Sequence, residues 1–292
     1  MRLLLLATVL VLPAPGEIPL HSQIATDAAK ARGRVGVACS LPGTTLDCNY
    51  NSDARLPMQS VYKLPIAMAA LDAIEHHKFT LDTTVRFLPS DLISPDQGSP
   101  LRDAHPRANI DVTIRELLRL AVVESDGVAS DILLRTLGGA AVADAYVRNL
   151  GIDGIHIQDT EKALGRNDRL ENRNYATPAA LVALLRRLAD RSPLSPEHTA
   201  LLLNWMTITQ TGEHRLKALL PPGTPVAHKT GTSGSNRPIT NATNDAGLIT
   251  LPDGRKLAIA VLVADSPAPV STREAVIARI ALAIYNPATQ AK

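Results

Sequence analysis

Ser60-Val61-Tyr62-Lys63 sets a hydroxyl and an amine three residues apart, which on a helix brings them to one face, a turn from each other. A serine hydroxyl is a poor nucleophile until a neighbour takes its proton. A lysine held among apolar groups gives up its preference for charge and can be that neighbour. Ser60 would also stand at a helix N-terminus, where free amides and the dipole favour developing negative charge. Taken alone, the pattern equally fits an N-capping serine and a solvated lysine. Ser125-Asp126-Gly127 falls between two helical patterns. It reads either as a pair of ordinary caps or as a second hydroxyl able to pass a proton to a leaving nitrogen. Lys229-Thr230-Gly231 closes a strand pattern and runs into Thr232-Ser233-Gly234. A strand edge with a cation, hydroxyls and a glycine suits a carboxylate and the close approach of an extended substrate. The alternative there is a glycine-rich exit loop.

The elements that must hold these groups follow from periodicity and punctuation. Residues 34–40 and 45–50 read as a hairpin, and a helix runs from about Ser60 to His76. Pro65, five residues into that helix, removes a backbone hydrogen bond and predicts a distorted first turn. Residues 89–106 are Pro-rich and aperiodic, a long surface loop. Helical patterns return at 113–123, 128–137 and 140–150, followed by a polar, irregular stretch over 153–176. Connections of that length in compact domains tend to be functional. Thr177-Pro178 and Ser195-Pro196 each read as an N-cap followed by proline at the first helical position. Strands are predicted at 226–230, 246–251 and 256–264, with Asp253-Gly254 as the turn between the last two. In the last strand Leu257, Ile259, Val261 and Val263 alternate with Ala258, Ala260 and Ala264, so both faces are covered and the alanine face allows close approach. The chain ends in an amphipathic helix near 273–285. Strands, many helices, strands and a helix in that order describe an α/β (α+β) fold: an antiparallel sheet built from both chain ends, with an all-helical subdomain inserted. The boundaries fall at 17–56 with 208–292 for the α/β part and 57–207 for the helical part.

At 292 residues, with 45% hydrophobic and 20% charged, the chain has an ordinary globular balance and enough length for one large domain or two interleaved ones. Aromatics are only 3%, so the core must come from Leu, Ile, Val and Ala. A net charge of +2 is too small to argue for nucleic acid. Arg2, the apolar run 3–12 and Ala14-Pro15-Gly16 read as a signal peptide over 1–16. The run is half of the ~20 residues that a membrane span needs. Export to the periplasm or beyond is expected, with no membrane association once the signal is removed. Between Cys39 and Cys48 sits Pro42-Gly43; a hairpin folded about 43 and 44 sets the cysteines opposite each other. A disulfide is then geometrically possible and export permits it; the alternative is two buried thiols. No phosphate-binding loop or zinc helix motif is present. His76 and His77 point to different sides of a helix, and Trp205 reads as core.

The three clusters in this order resemble the class A serine β-lactamases across essentially the whole mature chain. Pro57-Met58-Gln59 and Thr211-Gly212-Glu213-His214-Arg215 are similar to the family's flanking sequences. Glu161, 36 residues after Ser125, matches the glutamate that activates the deacylating water. The stretch from Glu161-Lys162-Ala163-Leu164 to Asn174-Tyr175 resembles the extended-spectrum subgroup. The resemblance implies a five-stranded sheet and hydrolysis of penicillins and cephalosporins. It makes Ser60 the nucleophile, Lys63 or Glu161 (through a water) the acylation base, Ser125 the proton donor and Glu161 the deacylation base. It implies an oxyanion hole from the Ser60 and Thr232 amides, each donor worth about 3 kcal/mol. Asp126, Lys229, Thr230, Gly231, Thr232, Ser233 and Arg215 would contact substrate, and His214 would be structural. No metal or organic cofactor is implied, and the partner is a small-molecule β-lactam taken by a monomer. A peptidoglycan D,D-peptidase shares the first three motifs, and a β-lactam-binding sensor or sink would be acylated without turnover. The sequence departs from the family where Gly127 and Gly165 replace two asparagines. The loop's arginine–aspartate bridge is expected to be missing, with Asp159 and Asn174 at its positions. Ser60 and Ser125 are 65 residues apart, longer than usual, which places the extra residues after Pro89. A differently held water and a variant loop are expected.

Overall fold

The structure, a computed structural model, describes residues 19–234 and 238–291; the signal peptide expected over 1–16 lies outside the described residues. Helix α1 (Leu20–Ala29) leads into β1 (Arg34–Ser40), and β2 (Leu56–Pro57) precedes a 3₁₀ turn, Gln59–Tyr62, and α2 (Lys63–Glu75). Strands β3 (Thr84–Phe87) and β4 (Ile110–Thr113) pair around α3 (Pro100–Ala104), and α4 (Ile114–Val123), α5 (Gly127–Leu137) and α6 (Ala140–Asn149) follow. Next come β5 (Ile155–His156), α7 (Glu161–Arg166), β6 (Tyr175–Ala176), α8 (Pro178–Asp190) and α9 (Pro196–Thr207). Strands β7 (Val226–Thr232), β8 (Thr240–Thr250) and β9 (Lys256–Ser266) and helix α10 (Val270–Gln290) close the described chain.

The main sheet is antiparallel in the order β1-β9-β8-β7, four strands rather than five. The second strand of the expected first hairpin is reduced to one bridge, Val37 with Tyr50, closed by N–H···O bonds of 2.7 and 3.0 Å. Local side chains compete for the backbone there. Thr44 Oγ1 accepts from Leu46 N, and Asp47 Oδ1 accepts from Asn49 N, which turns both donors away from a ladder. The register about 43 and 44 nevertheless holds, and Cys39 and Cys48 are disulfide-bonded with Cα atoms 5.9 Å apart.

Strand β9 separates two cores. Leu257, Ile259, Val261 and Val263 pack with α1 and α10, whereas Ala258, Ala260, Leu262 and Ala264 belong to the core shared with the helices. Helix α8 lies on this alanine-rich face, against β9, β1 and β8. The approach is close: a Cβ on Gly36 of β1 would stand 2.8 Å from Pro178 Cγ. Trp205, 5% exposed, is in the same core. Thr113, Asp126, Thr177 and Ser195 cap their helices through their side chains. The first turn of the Ser60 helix is 3₁₀, so the α-helix proper starts at Lys63 and Pro65 takes its third position. With no N–H at position 65 no i→i−4 bond can run back to Val61 O, in keeping with the distorted first turn that the proline predicts.

Candidate active site

The turn that carries Ser60 is held from three directions. Asn244 of β8 donates its Nδ2 to Pro57 O (2.7 Å) and Met58 O (3.1 Å), and Met58 N donates to Asn174 O at 2.9 Å. On the third side β7 passes so near that a Cβ on Gly231 would lie 2.3 Å from Met58 O and 3.2 Å from Ser60 N. Two residues beside the site sit in the left-handed region, Gln59 at φ 48° and Ser125 at φ 59°. Each such non-glycine conformation costs roughly 1–3 kcal/mol, which the surrounding bonds must offset.

Lys63 is 1% exposed, and its Nζ stands among three oxygens. Its Nζ donates to Ser60 Oγ at 2.9 Å and to Ser125 O at 2.6 Å, and it stands 3.0 Å from Glu161 Oε1. A buried amine without such partners would be expensive. Ser60 Oγ in turn lies within 3.5 Å of Glu161 Oε1. Lys229, fully buried, donates to Ser125 Oγ at 2.8 Å and to Thr230 O at 3.1 Å. Burial, and then the neighbouring Lys63 charge, hold the Lys229 amine well below its ordinary range. Because the amine donates, the Ser125 hydroxyl hydrogen is left free to point into the cleft.

Arg215 serves Thr232 in the same way. Its Nη2 donates to Thr232 Oγ1 at 2.7 Å, Nη1 donates to Asn244 O and Gly231 O, and Nε pairs with Glu274 at 3.1 Å. Thr230 Oγ1 donates to Thr211 Oγ1 at 2.8 Å. The cleft over these groups has a volume of about 500 Å³, and Ser60, Lys63, Ser125, Glu161, Arg215, Thr230, Thr232 and Ser233 all line it. The Ser233 hydroxyl is tied to β8 through Ala242 N at 2.7 Å. His214 is exposed. Lys229 and Gly231, expected at the substrate, lie behind the wall: one reaches the cleft through Ser125, the other sets the approach of β7. Asp126 corrects the expectation of substrate contact. It is fully buried, and its oxygens accept from Ala129 N, Ser99 Oγ and Leu101 N, so it caps α5 and anchors α3.

The loop over 153–176 is pinned more firmly than its sequence implies. Asn174, fully buried, accepts from Gln158 N (2.8 Å) and Asp159 N (2.9 Å) and donates to Asp159 O at 2.8 Å. The expectation that no arginine–aspartate bridge exists is corrected: Arg173 Nε pairs with Asp159 Oδ2 at 3.1 Å, one residue from the expected position. Asp131 of α5 accepts from Glu161 N (2.8 Å) and Lys162 N (2.9 Å). Its burial, and Glu161's charge, push that carboxyl up to about 7 against these two donors. Asn241 Nδ2 donates to Glu171 Oε2 at 2.6 Å, joining the loop to β8 across the cleft wall, and burial raises the Glu171 carboxyl. Sequence reasoning missed Asp131, Asn241 and Asn244, and it read Asn174 as part of the subgroup resemblance and as a departure at the bridge, not as the residue that pins the loop. Each acts across a long separation and carries no local motif.

The arrangement is a serine flanked by an amine and a carboxylate, with a second hydroxyl opposite and a strand edge alongside, which suits acyl transfer. Known proteins agree with it. Residues 19–288 match the model of the β-lactamase enzyme family. The chain is 36% identical to the extended-spectrum β-lactamase PER-1 of Pseudomonas aeruginosa, over 91% of this chain and 86% of that one. A β-lactamase of Bacteroides uniformis is 37% identical over 81% and 80% of the two chains. Among solved structures, TLA-3 extended-spectrum β-lactamase superposes with a TM-score of 0.88 at 37% identity, covering 92% of this chain and 98% of that one. The chain belongs to the β-lactamase enzyme family, in its class A branch.

Proposed function

We propose that this enzyme opens the β-lactam ring of penicillins and cephalosporins through an acyl-enzyme on Ser60. The observation that carries the reading is the Ser60–Lys63–Glu161 triangle, with Lys63 Nζ 2.9 Å from the hydroxyl and 3.0 Å from the carboxylate. Ser60 Oγ attacks the lactam carbonyl while its proton passes to Lys63, or through a water to Glu161. The amides of Ser60 and Thr232 receive the oxyanion. The C–N bond breaks and the Ser125 hydroxyl gives its proton to the departing nitrogen, while the proton taken from Ser60 returns by way of Lys63 to Ser125, so that Lys63, Ser125 and the Glu161 carboxylate are restored before water attacks. Thr232 and Arg215 engage the substrate carboxylate, with the Thr232 hydroxyl hydrogen freed for it by Arg215; the Thr230 and Ser233 hydroxyls, which donate to Thr211 Oγ1 and Ala242 O, join them by rotating towards it. Glu161 then takes a proton from water; the hydroxide adds to the ester carbonyl, and Ser60 leaves with its proton restored.

Thr232-Ser233 after the Lys-Thr-Gly stretch, together with the similarity to a β-lactamase named as extended-spectrum, supports cephalosporins as well as penicillins as substrates. We assign the enzyme to the periplasm or the exterior, exported by the 1–16 signal and acting as a monomer. No helix of the described residues is long and apolar enough to cross a membrane. The proposed division at 56/57 and 207/208 sets the cleft at the seam of the two parts.

Intact-mass spectra after mixing with a penicillin and a cephalosporin test the reading. The wild-type protein should return unmodified while substrate disappears. Glu161→Gln should retain the full substrate mass on Ser60, its deacylation slowed on the order of 10²–10⁴-fold for a lost general base. A wild-type protein that stays acylated is a sink, and a Glu161→Gln variant that deacylates like wild type is a D,D-peptidase; either result overturns the proposal.

A further inference from the structure

One segment, residues 93–98, fills the space that side chains at both Gly127 and Gly165 would need. A Cβ on Gly127 would meet Ile93 Cδ1 at 2.7 Å, and Gly98 O and Glu161 Cγ at 3.3 Å. A Cβ on Gly165 would fall 2.1 Å from Gln97 Oε1, 2.3 Å from its Cδ and 2.7 Å from its Nε2. The Gln97 carboxamide therefore lies where a side chain at 165 would begin, and it lines the cleft with Glu161. The extra length after Pro89, the glycine at 127 and the glycine at 165 are three faces of one arrangement.

Both ends of that carboxamide are engaged. Nε2 donates to Glu161 O at 2.6 Å, and Oε1 accepts from Ser94 N at 3.2 Å. One partner accepts only and the other donates only, so the orientation of the amide is fixed. The segment itself is braced. Arg102 Nη1 donates to Ser94 O (2.5 Å) and Gln97 O (2.7 Å), and Gly127 N donates to Gly98 O at 3.0 Å. Asp126 ties down Ser99 and Leu101 immediately beyond. Glu161 is thus clamped through its own peptide groups, its N–H by Asp131 Oδ1 and its C=O by Gln97 Nε2.

We propose that Gln97 is a positioning residue for deacylation: from the 93–98 segment it fixes the peptide of Glu161, and so the carboxylate, against Ser60. The proposal rests on the reading of Glu161 as the base that activates the hydrolytic water. A residue acting on that step alone leaves a specific kinetic mark. When deacylation limits turnover, slowing it lowers kcat and KM together and leaves kcat/KM, which reports acylation, unchanged.

The test measures steady-state constants and acyl-enzyme accumulation with a penicillin for wild type, Gln97→Ala, Gln97→Glu, Gly165→Ala and the Gln97→Ala/Gly165→Ala pair. Gln97→Ala should lower kcat and KM in parallel by about tenfold or more, since displacements near 1 Å cost on the order of 10²-fold, with acyl-enzyme building up. Gln97→Glu keeps the bulk but sets an oxygen against Glu161 O, so it should fall with Gln97→Ala; it also carries the test if the alanine variant fails to fold. Gly165→Ala should slow deacylation alone and add little once the carboxamide is gone. The proposal is overturned if Gln97→Glu turns over like wild type, if kcat falls with KM unchanged, or if the two alanine effects add in full. A wild-type protein that does not turn over at all would instead sink the reading of Glu161 on which the proposal stands.

Discussion

Replacing Gly231 by alanine would put a Cβ 2.3 Å from Met58 O and 3.2 Å from both Gln59 Cβ and Ser60 N. A carbon and a carbonyl oxygen settle at about 3.3–3.6 Å, so β7 and the nucleophile turn must part by about 1 Å. Neither yields easily. Met58 is held by Asn244 Nδ2 and Asn174 O, and β7 is paired with β8 from Val226 to Thr232. That gap separates the two proposed oxyanion donors, Ser60 N and Thr232 N. A misplacement of this size costs on the order of 10²-fold, and a lost oxyanion donor about 10²–10³-fold. The expected result is a kcat/KM lower by about two to three orders of magnitude, seen as slow acylation in single-turnover traces. Overpacking costs about 1–3 kcal/mol, so the midpoint of thermal unfolding should drop only a few degrees and the variant should stay folded. A folded Gly231→Ala variant that keeps kcat/KM within about threefold refutes the idea that β7's approach sets the oxyanion geometry.

Asp131 makes stability depend on pH. Its carboxyl stands at about 7 against an ordinary 3.8, so the folded state holds the proton more tightly than the unfolded chain does. The stability it contributes is full below the ordinary value and is lost as pH rises through about 7. Asp131→Asn cannot ionise, so its thermal midpoint should gain on wild type between about pH 4 and 7 and level off above; a constant gap would contradict the assignment. The Cys39–Cys48 bridge closes a loop with a separation of 9 residues, worth roughly 3 kcal/mol by chain entropy. It lies on β1, the sheet edge opposite β7. Cys39→Ala with Cys48→Ala should lower the thermal midpoint by about 5 °C and leave turnover at 25 °C intact. A folded double variant without activity would show that the bridge reaches the cleft after all.

What was legible in the sequence was local. Ser60 and Lys63 are three residues apart, Lys229 to Ser233 run along one strand edge, and the alternation in β9 is a matter of period. The cap at Thr177 and the start of α9 at Ser195 likewise need only their own neighbours. What was not legible lies between residues far apart in the chain. Gln97 meets Glu161 over 64 residues, and Asn244 meets Met58 over 186, with no periodicity to announce either. The β3–β4 hairpin went unread because its strands are four residues each and enclose a Pro-rich segment with a helix of its own. The segment at 45–50 carries a strand's apolar content, but Thr44 and Asp47 capture its donors. Asp126 was open to two readings, and the structure takes the bland one: its carboxylate has no oxygen left for a substrate.

The account stands most directly on the steady-state hydrolysis of a chromogenic cephalosporin by the purified protein and by its Ser60→Ala variant. Many turnovers per enzyme are expected for the protein, with the rate lost by at least about 10³-fold in the variant, as for removal of other serine nucleophiles. A single stoichiometric burst without turnover, or a Ser60→Ala variant that still hydrolyses the substrate, would contradict it.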